Sequence, residues 1–194
     1  MSRTIIPNKF GVDEDGDYML LDTGEKVRID TADIPRIKLI KWKRHRVKTY
    51  IYVRAMVFSE ELGREREILL QRYLTEAPSH LWADHRNGDT LDNRRSNLRV
   101  CAPADNKRNR TKIPGGSSQY KGVFRTMYKR EGWKAGVRIR DPKPGQHPIR
   151  VSPTFRTELE AALWYDKVAR EEQGEFACVN FPGLGERCAL GSGG

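Results

Sequence analysis

Short runs of alternating apolar and polar positions dominate the first half of the chain, and they predict strands. Tyr18-Met-Leu-Leu21 and Lys26-Val-Arg-Ile29, separated by Asp22-Thr-Gly24, have the form of a β-hairpin with a glycine turn. Thr49–Val57 is rich in aromatic and β-branched residues and predicts a further strand. Residues 59–66 are polar and predict a loop. In Glu67–Thr75 the apolar Ile68, Leu69, Tyr73 and Leu74 fit a short helix or a strand-to-helix junction that ends before Pro78. Leu81–His85 and Leu98–Cys101 alternate again, giving two strands joined by a turn-rich segment around Asn87-Gly88-Asp89. Pro103 is placed to open a helix running toward Ile113.

Residues 113–119 (Ile-Pro-Gly-Gly-Ser-Ser-Gln) have linker composition, and a domain boundary is expected there. Three strands follow, in Tyr120–Arg125, Trp133–Arg140 and His147–Val151. In the middle one Trp133, Ala135, Val137 and Ile139 fall on one face, and Lys134, Gly136, Arg138 and Arg140 on the other. The apolar face has a ready cover. Thr157-Glu-Leu-Glu160 has the spacing of a capping box, and Ala161, Ala162, Tyr165, Val168 and Ala169 line one side of the helix before Gly174 stops it. The tail from Gly183 is expected to be disordered.

Charge sharpens this picture. With 36 Lys and Arg against 26 Asp and Glu, the net charge is +10 over 194 residues, which points to a polyanionic partner such as nucleic acid. Residues 1–35 are acidic, with eight carboxylates and four basic groups, and suggest a small packing subdomain. The sign reverses over Arg36–Arg54, which carries eight Lys or Arg and no acid. Lys43, Arg44 and Arg46 there are candidate phosphate contacts. The three cysteines Cys101, Cys178 and Cys188 are widely spaced, so neither a zinc knuckle nor a disulfide framework is expected. The N-terminus lacks a signal-peptide apolar run, and no stretch could cross a bilayer. An intracellular, cytoplasmic or nucleoid-associated location is expected, with no membrane partner, no small-molecule cofactor and a monomeric state.

The densest chemistry lies in Trp82–Val100. A carboxylate (Asp84) beside a histidine (His85), followed by crowded Asp and Asn residues, makes a candidate one-metal hydrolytic centre. Asp84 and Asn106 offer hard oxygen ligands suited to Mg²⁺, and a neutral His85 can take a proton from an attacking water. His45, His80 and His147 are read as surface or packing histidines, and Cys101 as a small strand residue.

The pattern Asp84-His85-x-Asn87-Gly88-Asp89, then Leu91-Asp92-Asn93-Arg94-Arg95-x-Asn97-Leu98-Arg99, then Asn106 and Asn109, resembles the HNH homing-type endonucleases of phages and mobile introns. The resemblance spans about residues 68–110. It implies a ββα-metal fold that cleaves DNA, with His85 as general base, Asp84 and Asn106 as metal ligands, and Asn97 orienting His85. Asn87, Asp89 and Asn93 would shape the loop. Gln71 stands where that family usually has a histidine.

Residues Tyr120–Pro182 resemble the AP2/ERF DNA-binding domain. The resemblance is carried by Tyr120-Lys-Gly-Val123, Trp133-x-Ala135, Arg138, Phe155-x-Thr157-x-x-Glu160-Ala161-Ala162-x-x-Tyr165-Asp166-x-x-Ala169 and Asn180-Phe181-Pro182. It implies a three-stranded antiparallel sheet on DNA, backed by one helix, with Lys121, Arg125, Arg138, Arg140 and Arg150 as contacts. Together these readings predict an α+β endonuclease on double-stranded DNA, phage- or bacterium-encoded. A β-rich region (1–66) would precede the nuclease core (67–112), then the linker (113–119), the AP2/ERF-like domain (120–182) and the tail (183–194). The alternative is a DNA-binding regulator with a decayed nuclease core.

Overall fold

A computed structural model describes residues 6–112, 115–127, 131–184 and 186–190. The chain folds into two compact units, Met1–Ala102 and Pro103–Gly194, and its class is α+β, built mostly of small antiparallel sheets. No helix among the described residues is long and apolar enough to cross a membrane.

The first unit begins with a three-stranded antiparallel sheet, β1 (Lys9–Asp13), β2 (Gly16–Leu20) and β3 (Lys26–Arg28). The hairpin around Asp22-Thr-Gly24 lies where the alternation put it, whereas β1 had no sequence signal. A one-turn helix, α1 (Ile34–Ile37), leads to a second antiparallel sheet, β4 (Lys43–Val47), β5 (Tyr50–Ser59) and β6 (Arg64–Leu69), with β5 central. The polar segment 59–66 reads as a loop, but its ends belong to β5 and β6, and the basic run just before β5 forms β4. Pairing to β5 supplies the backbone partners that local propensity does not advertise. Helix α2 (Leu70–Thr75) follows β6 directly, at the strand-to-helix junction expected there. The hairpin β7 (Trp82–His85) and β8 (Leu98–Cys101) completes the unit.

One core gathers these elements: Met19 and Val27 from the first sheet, Val53 and Ala55 from β5, Leu70 and Leu74 from α2, and Leu98 from β8. Trp42, set among basic residues in the sequence, is completely buried in it. Its indole Nε1 donates to Ile37 O (3.1 Å), and Asn8 brackets its backbone by accepting from Trp42 N (2.8 Å) and donating to Trp42 O (3.0 Å). The indole N–H and the backbone groups of Trp42 are thereby satisfied, which offsets the cost of taking them out of water.

The second unit opens with α3 (Pro103–Arg108). The antiparallel sheet β9 (Val123–Thr126), β10 (Gly132–Arg138) and β11 (Ile149–Val151) has β10 in the middle. Helix α4 (Glu158–Gln173) lies on one face, closed at its start by a reciprocal Thr157–Glu160 capping box, a device worth about 1 kcal/mol. Ala135 and Val137 meet Ala161, Ala162, Val168 and Ala169, all buried. The alanines let helix and sheet approach closely. Gly122 shows how closely: at φ +72°, a Cβ there would sit 2.1 Å from the Tyr165 ring, so only glycine fits. Asp166 accepts from Asn180 N (2.7 Å), Asn180 Nδ2 (3.0 Å) and Phe181 N (2.7 Å), while Asn180 Oδ1 accepts from Lys121 N (2.7 Å). This buried relay ties α4 to the segment entering β9.

The tail departs from expectation. Strand β12 (Cys178–Val179) pairs in parallel with β13 (Arg187–Cys188), and Ala189 is fully buried. The physical reason is local: Arg170 donates to both Glu186 carboxylate oxygens (2.7 and 2.8 Å), and Ala189 N donates to Val179 O (2.7 Å). Residues 185 and 191–194 of that tail, and 113–114 of the expected linker, lie outside the described residues. The rest of the expected linker falls within the second unit's range, where Ser118 and Gln119 donate to Glu158.

Candidate active site

Strands β7 and β8 pair in the register Trp82–Cys101, Ala83–Val100, Asp84–Arg99 and His85–Leu98. Side chains directly across an antiparallel pair share a face, and successive ones alternate. Asp84 therefore stands with Arg99, whereas His85 stands with the core residue Leu98. Asp84 Oδ2 accepts from Arg99 Nε (3.1 Å) and Nη2 (2.8 Å), and the two side chains are only 9% and 4% exposed. The sequence reading assigned Asp84 but missed Arg99, although the register of the two strands was a signal that could have found it.

The segment between the strands is held by its own polar side chains. Asn97 Oδ1 accepts from Asn87 N (2.9 Å) and its Nδ2 donates to Asp92 O (2.7 Å). Asn87 Oδ1 accepts from Asp89 N (2.8 Å), and Asp89 Oδ1 from Leu91 N (2.9 Å). Gly88, at φ +81°, supplies the left-handed residue of the turn. Asp92 is held by Arg94 at 2.7 and 2.8 Å. Burial alone would raise its carboxyl pKa, but Arg94 keeps it below the ordinary value. The loop is also stapled to the first sheet: Arg28 N donates to Leu91 O and Asn93 N to Arg28 O, both at 2.8 Å, while Arg95 donates to Asp30 and Asp33. Asn87 and Asp89 thus build the loop.

Asn93, rather than Asn97, lies against the imidazole. Asn97, expected beside the imidazole, is committed to the loop backbone. Asn93 instead reaches His85, with its Oδ1 3.3 Å from Nε2, and its Nδ2 donates to Thr90 O (3.2 Å). That second bond orients the amide so that Oδ1 accepts from the ring. With Asn93 Oδ1 as the acceptor, the tautomer that fits this contact carries its proton on Nε2. His85 is only 3% exposed, and burial pushes its pKa below the ordinary histidine value, against the opposing Asn93 bond and the charges of Asp84, Asp89 and Asp92. A neutral imidazole can take a proton from water.

Other candidates in the first unit distribute unevenly. Along β4, Lys43 shares a face with His45, whereas Arg44 and Arg46 face the opposite way. Arg44 pairs with Glu25 (3.0 Å), and Arg46 Nε donates to Lys48 O (3.2 Å). The basic run is therefore two half-patches rather than one handle. Gln71 is buried on α2, and its Oε1 has no hydrogen-bond partner.

In the second unit, Asn106 lies half-buried on α3. On the sheet, the register shows which face the expected DNA contacts Arg125 and Arg150 take. Arg150 lies across from Val137, on the helix-covered face, and pairs with Glu171 and Glu172 of α4 (both 3.2 Å). Arg125 lies across from Trp133, on that same face, and pairs with Glu131. Lys121 is half-buried, donating from Nζ to Arg108 O (2.9 Å), and burial lowers its pKa. Arg138 does stand exposed on the open face, beside Lys134 and with Phe124, Ile149 and Val151. Arg140 is exposed beyond the strand, paired with Asp105 (3.2 Å) and set over the Phe176 ring.

Among the described residues no group of three or more His, Cys, Asp or Glu side chains could hold a metal ion. Asp84 is a hard oxygen donor of the kind Mg²⁺ prefers, and that ion commonly takes one or two carboxylates and keeps several waters. The donor chemistry fits such a partial shell, with Arg99 already occupying one carboxylate oxygen.

The chain is 35% identical over 106 residues to a protein of Acanthamoeba polyphaga mimivirus that is named an uncharacterized HNH endonuclease. The match covers 53% of this chain and 49% of that protein, so the chain spans about half the length of the curated relative it matches. No family model matches, and no solved structure does.

Proposed function

We propose that this protein is a DNA endonuclease of the HNH type, in which His85 is the general base and Asp84 a ligand of a divalent cation, Mg²⁺ by donor chemistry. The observation that carries the reading is the buried His85 in contact with Asn93, its pKa lowered by burial, one residue from Asp84. The similarity to a relative named as an HNH endonuclease supports the same reading. Asn106, the other ligand the sequence suggests, belongs to the second unit, and the proposal rests on the first unit's residues.

In this reading a phosphodiester lies over the end of β7. His85 takes the proton of the attacking water, and its contact with Asn93 holds the ring as its charge develops. A divalent cation held by Asp84 would polarise the phosphate and stabilise the leaving 3′ oxygen. The products carry 5′ phosphate and 3′ hydroxyl ends. Supercoiled plasmid should become nicked or linear with Mg²⁺ and stay intact with EDTA, and the cut ends should be ligated without further treatment. DNA that is bound yet uncut under every divalent cation would overturn the assignment. The Asp84–Arg99 pair is the observation favouring the second reading, a DNA-binding protein whose core no longer cuts.

The second unit, in this account, is an AP2/ERF-like module that holds DNA on the open face of β9–β11. The exposed Arg138 is its main phosphate or base contact. Arg138→Ala should weaken duplex binding and reduce the slope of log K against log salt by about 1. Unchanged affinity and slope in a filter-binding titration would remove that face from the account.

A further inference from the structure

The face of the β4–β6 sheet turned away from the core carries aromatic rings that the proposed reaction does not use. Alternation along β5 buries Val53 and Ala55 in the core and places Tyr50 and Tyr52 on the opposite face. The Tyr52 ring lies 6.5 Å from the His85 ring, and the Tyr50 ring lies 6.4 Å from Tyr52. The row is locked to the site loop, because Thr90 Oγ1 donates to Ile51 O (2.6 Å) at the residue between the two tyrosines. Across the strand pair, His45 stands beside Tyr52 and Val47 beside Tyr50. Lys43, on the same face, and Lys48, at the β4–β5 turn, are both exposed.

Tyr50 is 41% exposed at the outer end of this row. A tyrosine serving only the core would not sit on the far face of the sheet. Aromatic faces flanked by cations suit nucleobases, which stack on the rings while the charges follow the phosphates. We propose that Tyr50 and Tyr52 form a base-stacking subsite that receives an unpaired nucleotide of the strand being cut, beside the phosphodiester presented to His85. The preferred substrate is then single-stranded or locally opened DNA at the scissile step. The inference rests on the nuclease reading for the role of His85, but the stacking itself can be measured without cleavage.

The test uses the full chain in EDTA with a short single-stranded oligonucleotide carrying 2-aminopurine. Binding should quench the probe. Tyr50→Ala should lose the quenching and weaken affinity about tenfold, the scale of one base–aromatic contact. The salt slope should stay unchanged, because no phosphate contact is removed. Tyr50→Phe, which keeps the ring, should bind and quench as the unmodified chain does, and Lys43→Ala should lower the slope instead. Wild-type affinity and quenching in Tyr50→Ala would overturn the subsite, even if plasmid is cut. Quenching that depends on Tyr50, in a protein that cuts no DNA, would support the subsite and sink the nuclease reading alone.

Discussion

Replacing His85 with alanine is expected to slow plasmid cleavage by about 10²–10⁴-fold, the usual contribution of a positioned general base. DNA affinity measured in EDTA should hardly change, because the imidazole is buried and neutral and is not a phosphate contact. The separation of cleavage from binding distinguishes loss of a base from loss of the fold. Asn93 offers a second, independent reading of the same chemistry. Its Nδ2–Thr90 bond orients the amide, and its Oδ1 holds the Nε2 proton. Asn93→Ala leaves His85 in place but frees its tautomer and tilt, so cleavage should fall by a smaller factor. Asn97→Ala acts differently, by loosening Asn87 and Asp92, and its effect should appear as raised hydrogen exchange across residues 86–97. A His85→Ala variant that cuts at the wild-type rate would remove the histidine from the mechanism.

Much of the framework was legible because it rests on local chemistry. The alternation in Trp133–Arg140 marked β10 and its buried face. Thr157 and Glu160 marked the start of α4, and Leu81–His85 with Leu98–Cys101 marked the hairpin. What stayed hidden depends on pairing between distant segments. Lys43–Val47 is an edge strand with charged residues on both faces, so it shows no apolar alternation. In β6 the sequence Arg64-Glu-Arg-Glu67 looks like a solvated loop until its cross-strand partners on β5 are known, including Arg54, which pairs with Glu67. The same limit hid the facing of Arg125 and Arg150. Both are basic residues in strands, but only the register shows that they share a face with Trp133 and Val137. Within the site, spacing identified a segment crowded with amides and carboxylates. It could not say which asparagine meets the imidazole, since that is decided by how a twelve-residue connection folds back on itself.

Removing Arg99 should cost about 3–5 kcal/mol, because it breaks a buried ion pair from one side and leaves a carboxylate in a medium that solvates it poorly. Both side chains are more than nine-tenths buried and joined by two charge-assisted bonds, so the weak energies of surface pairs do not apply. Arg99→Met preserves the aliphatic volume, so the loss reports electrostatics rather than a cavity. Asp84→Asn combined with Arg99→Met should recover much of that loss, since the buried charge pair is then removed from both sides. Urea unfolding of the four proteins gives the coupling energy directly. A cation makes the same cycle informative about function. In Arg99→Met the Asp84 carboxylate lacks its guanidinium, so Mg²⁺ should bind more tightly and stabilise this variant more than the wild type. In the double variant that stabilisation should vanish. A cost below about 1 kcal/mol for Arg99→Met would mean that the pair is not electrostatically isolated from water. Equal stabilisation of all four proteins by Mg²⁺ would remove Asp84 as its ligand. If the expected pattern holds, Arg99 orients the carboxylate in the metal-free protein, and cation binding must compete with it.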